Sequence, residues 1–169
     1  GNSTSKIYLD KNNSINQMFV LSKLITNYIG NKRLPMLIVD YKSSDNIRDG
    51  LNARKAAING FSIFGKEHTC LLNDEKKIDI KKLSKFINNF GQSPFLIFGF
   101  TSLIYEHFIN NDELKNQKIN FKNGILIHGG GWKKMEDKKI SNKIFKNLLK
   151  KNINLYRVIN YYGLAEQTG

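Results

Sequence analysis

The chain has 169 residues, 40% of them hydrophobic and 11% aromatic, which suffices for a packed core and argues against intrinsic disorder. Lys and Arg number 27 against 14 Asp and Glu, for a formal charge of +13, but no basic stripe, RNP motif or zinc motif accompanies the lysines, so no nucleic-acid partner is expected. The single cysteine, Cys70, allows no internal disulfide, no apolar run is long enough to span a membrane, and no signal-peptide pattern opens the chain, so a cytoplasmic location is expected.

Short apolar runs alternate with longer amphipathic ones. Lys6 to Leu9 reads as a short strand. Ser14-Ile15-Asn16-Gln17 forms a capping box that opens a helix with Met18, Leu21, Ile25 and Tyr28 on one face, and Gly30 fits its stop. Pro35 to Asp40 is nearly all apolar, as expected for a strand buried on both faces. A helix is expected around Gly50 to Ile58, a turn over Phe61 to Gly65, and a short strand over His68 to Leu72. Asp79 caps a helix with Leu83, Phe86, Ile87 and Phe90 inward, ended by Gly91. Pro94 to Phe100 is a second buried strand. Thr101 is placed as the cap of the next helix, with Ile104, Tyr105 and Phe108 inward and His107 on the helix surface. Gly124 to His128 is a third buried strand. Ser141 caps a helix with Ile144, Phe145, Leu148 and Leu149 on its core face, and Asn154 to Asn160 is the last strand.

Strands alternating with helices predict an α/β fold, a mainly parallel sheet with helices on both faces, formed as one domain over residues 1–169. Ligands of such sheets sit beyond the carboxyl ends of the strands. Two loops lie there. The first is His128-Gly129-Gly130-Gly131-Trp132-Lys133-Lys134. Its glycines can let a purine ring or a phosphate approach the backbone, or can simply make a tight turn. The second is Asn160-Tyr161-Tyr162-Gly163-Leu164-Ala165-Glu166-Gln167-Thr168-Gly169. Tyr162 can stack on a base, Gly163 lets the backbone pass close, and Glu166 is a hard oxygen donor suited to Mg²⁺. Taken singly, a core tyrosine and a surface glutamate are the commoner fates. His68 and Cys70 share a strand face, but no orienting third group is evident, and a buried structural cysteine is expected.

The two loops together resemble the adenylate-forming superfamily, which carries a glycine-pair loop and, one helix later, a Tyr-Gly-x-Thr-Glu signature. Ala165 stands in the Thr place. Gly1-Asn2-Ser3-Thr4-Ser5 is similar to the tail of that superfamily's phosphate loop, without its usual Pro-Lys. Within the superfamily the chain resembles the LuxE-type acyl-protein synthetases. The segments that carry this are Lys6 to Asp10 (KIYLD), Arg33 to Asp40 (RLPMLIVD), Phe98 to Phe108 (FGFTSLIYEHF), Gly124 to Lys134 (GILIHGGGWKK) and Asn160 to Gly169 (NYYGLAEQTG).

The resemblance implies ATP- and Mg²⁺-dependent activation of a carboxylic acid, with a long-chain fatty acid the expected substrate. It places Gly129, Gly130, Gly131, Trp132, Tyr162 and Gly163 at the nucleotide, Ser3 and Thr4 near the phosphate path, and Glu166 at Mg²⁺ as the catalytic carboxylate. Phe98 to His107 would border the acyl pocket. In the LuxE branch the acyl group passes to a cysteine of the synthetase, and a partner acyl-reductase takes it on. That cysteine, the ribose-binding aspartate, the small lid and its lysine would all follow Gly169, so residues 1–169 are expected to be inactive alone. Two alternatives are an acyl-CoA ligase of the phenylacetate type and a non-catalytic adenylation-domain remnant serving as a scaffold.

Overall fold

A computed structural model describes residues 22–23, 25–41, 53–117 and 119–161. Two compact units are distinguished, residues 1–32 with 163–169, and Arg33–Tyr162. Of the first unit, residues 25–29 are helical. The Gly30 N–H donates to the Thr26 carbonyl at 2.8 Å with φ +74°, the left-handed helix stop its sequence suggests. Ile25 is buried, whereas Tyr28, expected on the same inward face, is 57% exposed. The Lys6 to Leu9 strand, the Ser14 capping box, Met18 and Leu21 lie outside the described residues.

The second unit is a five-stranded, all-parallel sheet in the order β2-β1-β3-β4-β5. Its strands are β1 (Leu34–Tyr41), β2 (Gly65–Leu72), β3 (Phe95–Phe100), β4 (Gly124–Gly129) and β5 (Arg157–Asn160). Helix α1 (Ala53–Ser62) joins β1 to β2, and α2 (Ile80–Phe90) joins β2 to β3. After β3 come a short α3 (Thr101–Ile104), a π-helical turn (Tyr105–Ile109) and α4 (Asp112–Asn116). A 3-10 turn (Lys133–Lys138) and α5 (Asn142–Ile153) join β4 to β5.

Register explains the two-sided burial. Leu37, Ile97, Leu126 and Val158 are paired across four strands and form one row of the larger core. Neighbours in a parallel sheet point to the same face, and the next residue along points to the other. Ile38, Phe98, Ile127 and Ile159 are therefore the opposing row. Leu83 and Phe86 of α2, Ile104 of α3 and Phe145 and Leu149 of α5 pack in the larger core. Phe61 of α1 stacks on Phe98 at 4.5 Å, on the other face. The chain steps one way from β1 to β2 and the other way thereafter. Right-handed crossovers then require α1 on one face and the later helices on the other.

Several elements differ in extent from their expected spans. Phe61 and Ser62 complete α1 rather than a turn, and β2 begins at Gly65, three residues before His68. Lys66, Glu67 and His68 are exposed on this outer strand, so they lack the apolar signal that marks β1 and β3. At the far end, Asn154 to Tyr156 precede β5 rather than belong to it. Asn154 adopts φ 57° and its N–H donates to the Lys150 carbonyl at 3.1 Å, a left-handed stop for α5. Ser141 caps α5 as expected, and Asp79 caps α2, its side chain accepting from the Lys82 N–H at 3.0 Å. Ile144 is 49% exposed, not on the core face, because Phe145 takes the inward position beside it.

The paired rows set a clear expectation. Leu126→Ala should destabilise the protein by about 2–5 kcal/mol, whereas Ile144→Ala should change it by less than about 0.5 kcal/mol. Urea unfolding of the two variants checks this, and similar midpoints would contradict the assigned faces.

Candidate functional site

The carboxyl ends of β1, β3, β4 and β5 meet at one edge of the sheet. The strand order reverses between β1 and β3, the position at which open α/β sheets bind ligands. At that edge Val39, Gly99, His128 and Asn160 are the last fully paired row. Gly99 is tight: a Cβ there would come within 2.7 Å of the Ile104 side chain.

One polar junction joins three strand ends. Thr101 Oγ1 lies 3.0 Å from His128 Nδ1 and donates to the Gly129 carbonyl at 3.1 Å. A hydroxyl has one proton. With that proton on the Gly129 oxygen, His128 must carry its own on Nδ1 and donate to Oγ1. Nε2 is then the unprotonated nitrogen, and it has no hydrogen-bond partner among the described residues. The imidazole is 2% exposed and stacks on Phe145 at 4.8 Å. Burial, with a smaller contribution from Lys146, pushes its pKa down to about 4. From β5, the Tyr161 N–H donates to the His128 carbonyl at 2.9 Å. Thr101 was expected to cap α3. It is instead that helix's first residue, Phe100 holds the cap position without a side-chain bond, and the hydroxyl crosses to β4.

The glycine loop is shaped from inside. A Cβ on Gly129 would lie 2.3 Å from Tyr161 Cε1, so the tyrosine ring occupies the space that glycine leaves. Gly130 has φ +77°, and a Cβ there would meet Phe100 Cδ1 at 3.1 Å. Gly131 is exposed. Trp132 is 8% exposed, with its ring 5.0 Å from Tyr105 and 6.2 Å from Phe145. Its side chain thus anchors the loop to the core. Tyr161 also packs on Phe61 at 4.7 Å and on Phe98 at 6.2 Å, and burial raises its pKa, so it stays a phenol.

Beside this loop, at the reversal point, Arg54 of α1 holds Asp40 of β1 in a two-pronged ion pair. Nε donates to Oδ2 at 2.6 Å, and Nη2 bonds Oδ1. Asp40 is buried, Arg54 is 31% exposed, and the guanidinium lies over the rings of Tyr41 and Phe100. The pair is neutral overall and ties α1 to β1. His107, expected on a helix surface, is buried in the π-helical turn, and burial lowers its pKa against the opposing pull of Glu106 and Asp40. His68 Nε2 donates to the Ser62 carbonyl at 3.0 Å, and Cys70 is half-buried.

Of the residues singled out in the sequence, the structure brings Gly129, Gly130, Gly131 and Trp132 to this edge. Ser3, Thr4, Tyr162, Gly163 and Glu166 lie outside the described residues. As a site residue Thr101 was expected only within the Phe98 to His107 border of an acyl pocket, and His128 and Tyr161 only as members of the two loops, without roles of their own. The one available signal was that His128 and Thr101 each stand at the end of a buried strand.

The profile of the acyl-protein synthetase LuxE family matches residues 2–169. The chain belongs to this LuxE family. Neither a curated protein nor a solved structure is significantly similar to it. Membership makes the chain part of the adenylate-forming superfamily, whose members use ATP and Mg²⁺. At the glycine edge Gly130 and the exposed Gly131 carry no side chains. Among the described residues no group of three His, Cys, Asp or Glu is poised to hold a metal ion.

Two outcomes follow for this LuxE-family edge. Gly129→Ala must displace the Tyr161 ring and should cost about 1–3 kcal/mol, read by thermal or urea unfolding; an unchanged midpoint would contradict the close approach. His128 has a folded pKa of about 4 against an ordinary value of 6.5. The unfolded chain therefore binds the extra proton first. Stability from this group is complete above pH 6.5 and falls as the pH drops toward 4, by roughly 3 kcal/mol. His128→Asn should flatten that acid slope, and parallel slopes for variant and wild type would refute the assignment.

Proposed function

We propose that this chain is the nucleotide-binding part of an enzyme that activates a long-chain fatty acid as its acyl-adenylate and passes it to a protein thiol. The observation that carries the reading is the family match over residues 2–169, together with a glycine edge at the sheet's carboxyl ends. Adenylation needs a carboxylate oxygen to attack the α-phosphate of ATP while pyrophosphate leaves. Such transfers are promoted mainly by positioning and charge stabilisation. In this reading Gly129, Gly130 and Gly131 provide backbone against the adenine, Tyr162 stacks on it, and Gly163 keeps the approach open. Trp132 fixes the loop from within. Ser3 and Thr4 are assigned to the phosphates, and Glu166 to Mg²⁺, which supplies positive charge at the phosphoryl oxygens when bound. An acyl-reductase is the natural consumer of a protein-bound acyl thioester.

The test uses the intact protein. Pyrophosphate exchange into ATP should require Mg²⁺ and a long-chain fatty acid, and labelled acyl groups should become bound to protein and be released by hydroxylamine. Tyr162→Ala should lower kcat/KM for ATP by roughly tenfold or more, since base stacking contributes about 1–3 kcal/mol. Exchange without protein acylation, with acyl-CoA formed when CoA is supplied, would replace the protein-thiol reading with a CoA ligase. Absence of exchange with ATP binding retained would favour a scaffold.

A further inference from the structure

We propose that Thr101 is the positioning residue of the glycine edge and, through the Gly129 carbonyl, sets the affinity for the adenine of ATP. This rests on the nucleotide reading above. Thr101 is buried and immediately follows β3. Phe100 holds the cap position of that helix without a side-chain bond, and Thr101 is the helix's first residue. Its hydroxyl reaches β4 and donates to the Gly129 carbonyl at 3.1 Å. A peptide unit is planar and trans, so its C=O and N–H point in opposite directions. Holding the Gly129 carbonyl toward Thr101 therefore turns the Gly130 N–H away from it. The ladder pairs Gly129 with Phe100, and the Thr101 hydroxyl adds a side-chain bond at the Gly129 carbonyl, just before Gly130, which has φ +77° and no Cβ.

The second bond of the hydroxyl completes the arrangement. Its lone pair accepts from His128 Nδ1–H at 3.0 Å, which leaves the hydroxyl proton for the Gly129 oxygen alone. The His128 carbonyl in turn receives the Tyr161 N–H at 2.9 Å, just before Tyr162. One side chain at the end of β3 thus bonds both the Gly129 carbonyl and the His128 ring. A methyl group in place of the hydroxyl would leave the Gly129 carbonyl and His128 Nδ1 both without that partner. No part of this requires Thr101 to touch the nucleotide.

The experiment compares wild type, Thr101→Val and Thr101→Ser in the intact protein. It reads the KM for ATP and for the fatty acid in pyrophosphate exchange, and the thermal midpoint. Thr101→Val should raise the KM for ATP roughly tenfold, as expected for one lost hydrogen bond of about 1.4 kcal/mol, with the KM for the acid within about twofold. Thr101→Ser keeps the hydroxyl and should restore the ATP value. A lower thermal midpoint with an unchanged KM for ATP would overturn the proposal, since only a structural role would remain. Both KM values rising together would overturn it as well. If Thr101→Val does not fold, Thr101→Ala is titrated with ATP directly, and an affinity equal to wild type would be fatal to the idea. A wild-type protein that binds no ATP would refute the nucleotide reading itself and this inference with it. Wild-type binding with no effect of the variants would refute only this inference.

Discussion

Parallel pairing of all five strands is the constraint on which the rest of the molecule depends. A parallel strand pair cannot be joined by a tight turn, so each connection must run back over a face of the sheet. That requirement buries both faces and gathers the carboxyl ends of the strands at a single edge. Residues 28 positions apart in sequence, Thr101 and Gly129, become hydrogen-bonded neighbours for this reason. The reversal of strand order between β1 and β3 then opens that edge, and the Asp40–Arg54 pair fastens α1 beside it.

The glycines of the edge do different things. Gly129 is required because Tyr161 occupies the space beside its backbone, and Gly130 because of its left-handed φ. Neither requirement comes from a ligand. Both nonetheless leave a stretch of backbone without side chains, which is the property a flat ring needs. Trp132, in the same loop, is held by Tyr105 and Phe145. Loop rigidity and loop accessibility therefore arise from adjacent residues, with the anchor inside and the exposed Gly131 outside.

Much of the architecture was legible because buried strands announce themselves. The runs around Leu34–Tyr41, Phe95–Phe100 and Gly124–Gly129 are apolar on both faces, and only a doubly covered sheet explains such runs. The caps Asp79 and Ser141 were legible for the same local reason: a short side chain that accepts from a backbone N–H leaves a pattern in the sequence. What was not legible depended on neighbours distant in the chain. The outer strand β2 carries exposed Lys66, Glu67 and His68. Ile144 and Tyr28 fit their helical faces by spacing, but nothing in the spacing tells how far the core extends around each helix. Thr101 has the residue type and position of a cap, and its departure from that role depends on the Gly129 carbonyl and His128, which the sheet brings to it. His107 was hidden by a π-helical turn, which shifts the helical register that would have put it outside.

The tyrosine pair shows how the interior limits the choices left for the site. Tyr161 and Tyr162 are chemically equivalent in the sequence, and either ring could be assigned to a base. Tyr161 is half-buried and packs against Phe61, Phe98 and the backbone of Gly129. The proposed stacking role of Tyr162 is compatible with this packing of Tyr161. The same reasoning makes His128 a poor general base. Its protonated form would be a cation buried against Phe145, and its free Nε2 has no polar partner among the described residues. The junction is built to stay neutral and fixed, which suits a part that orients a binding surface better than one that exchanges protons with a substrate.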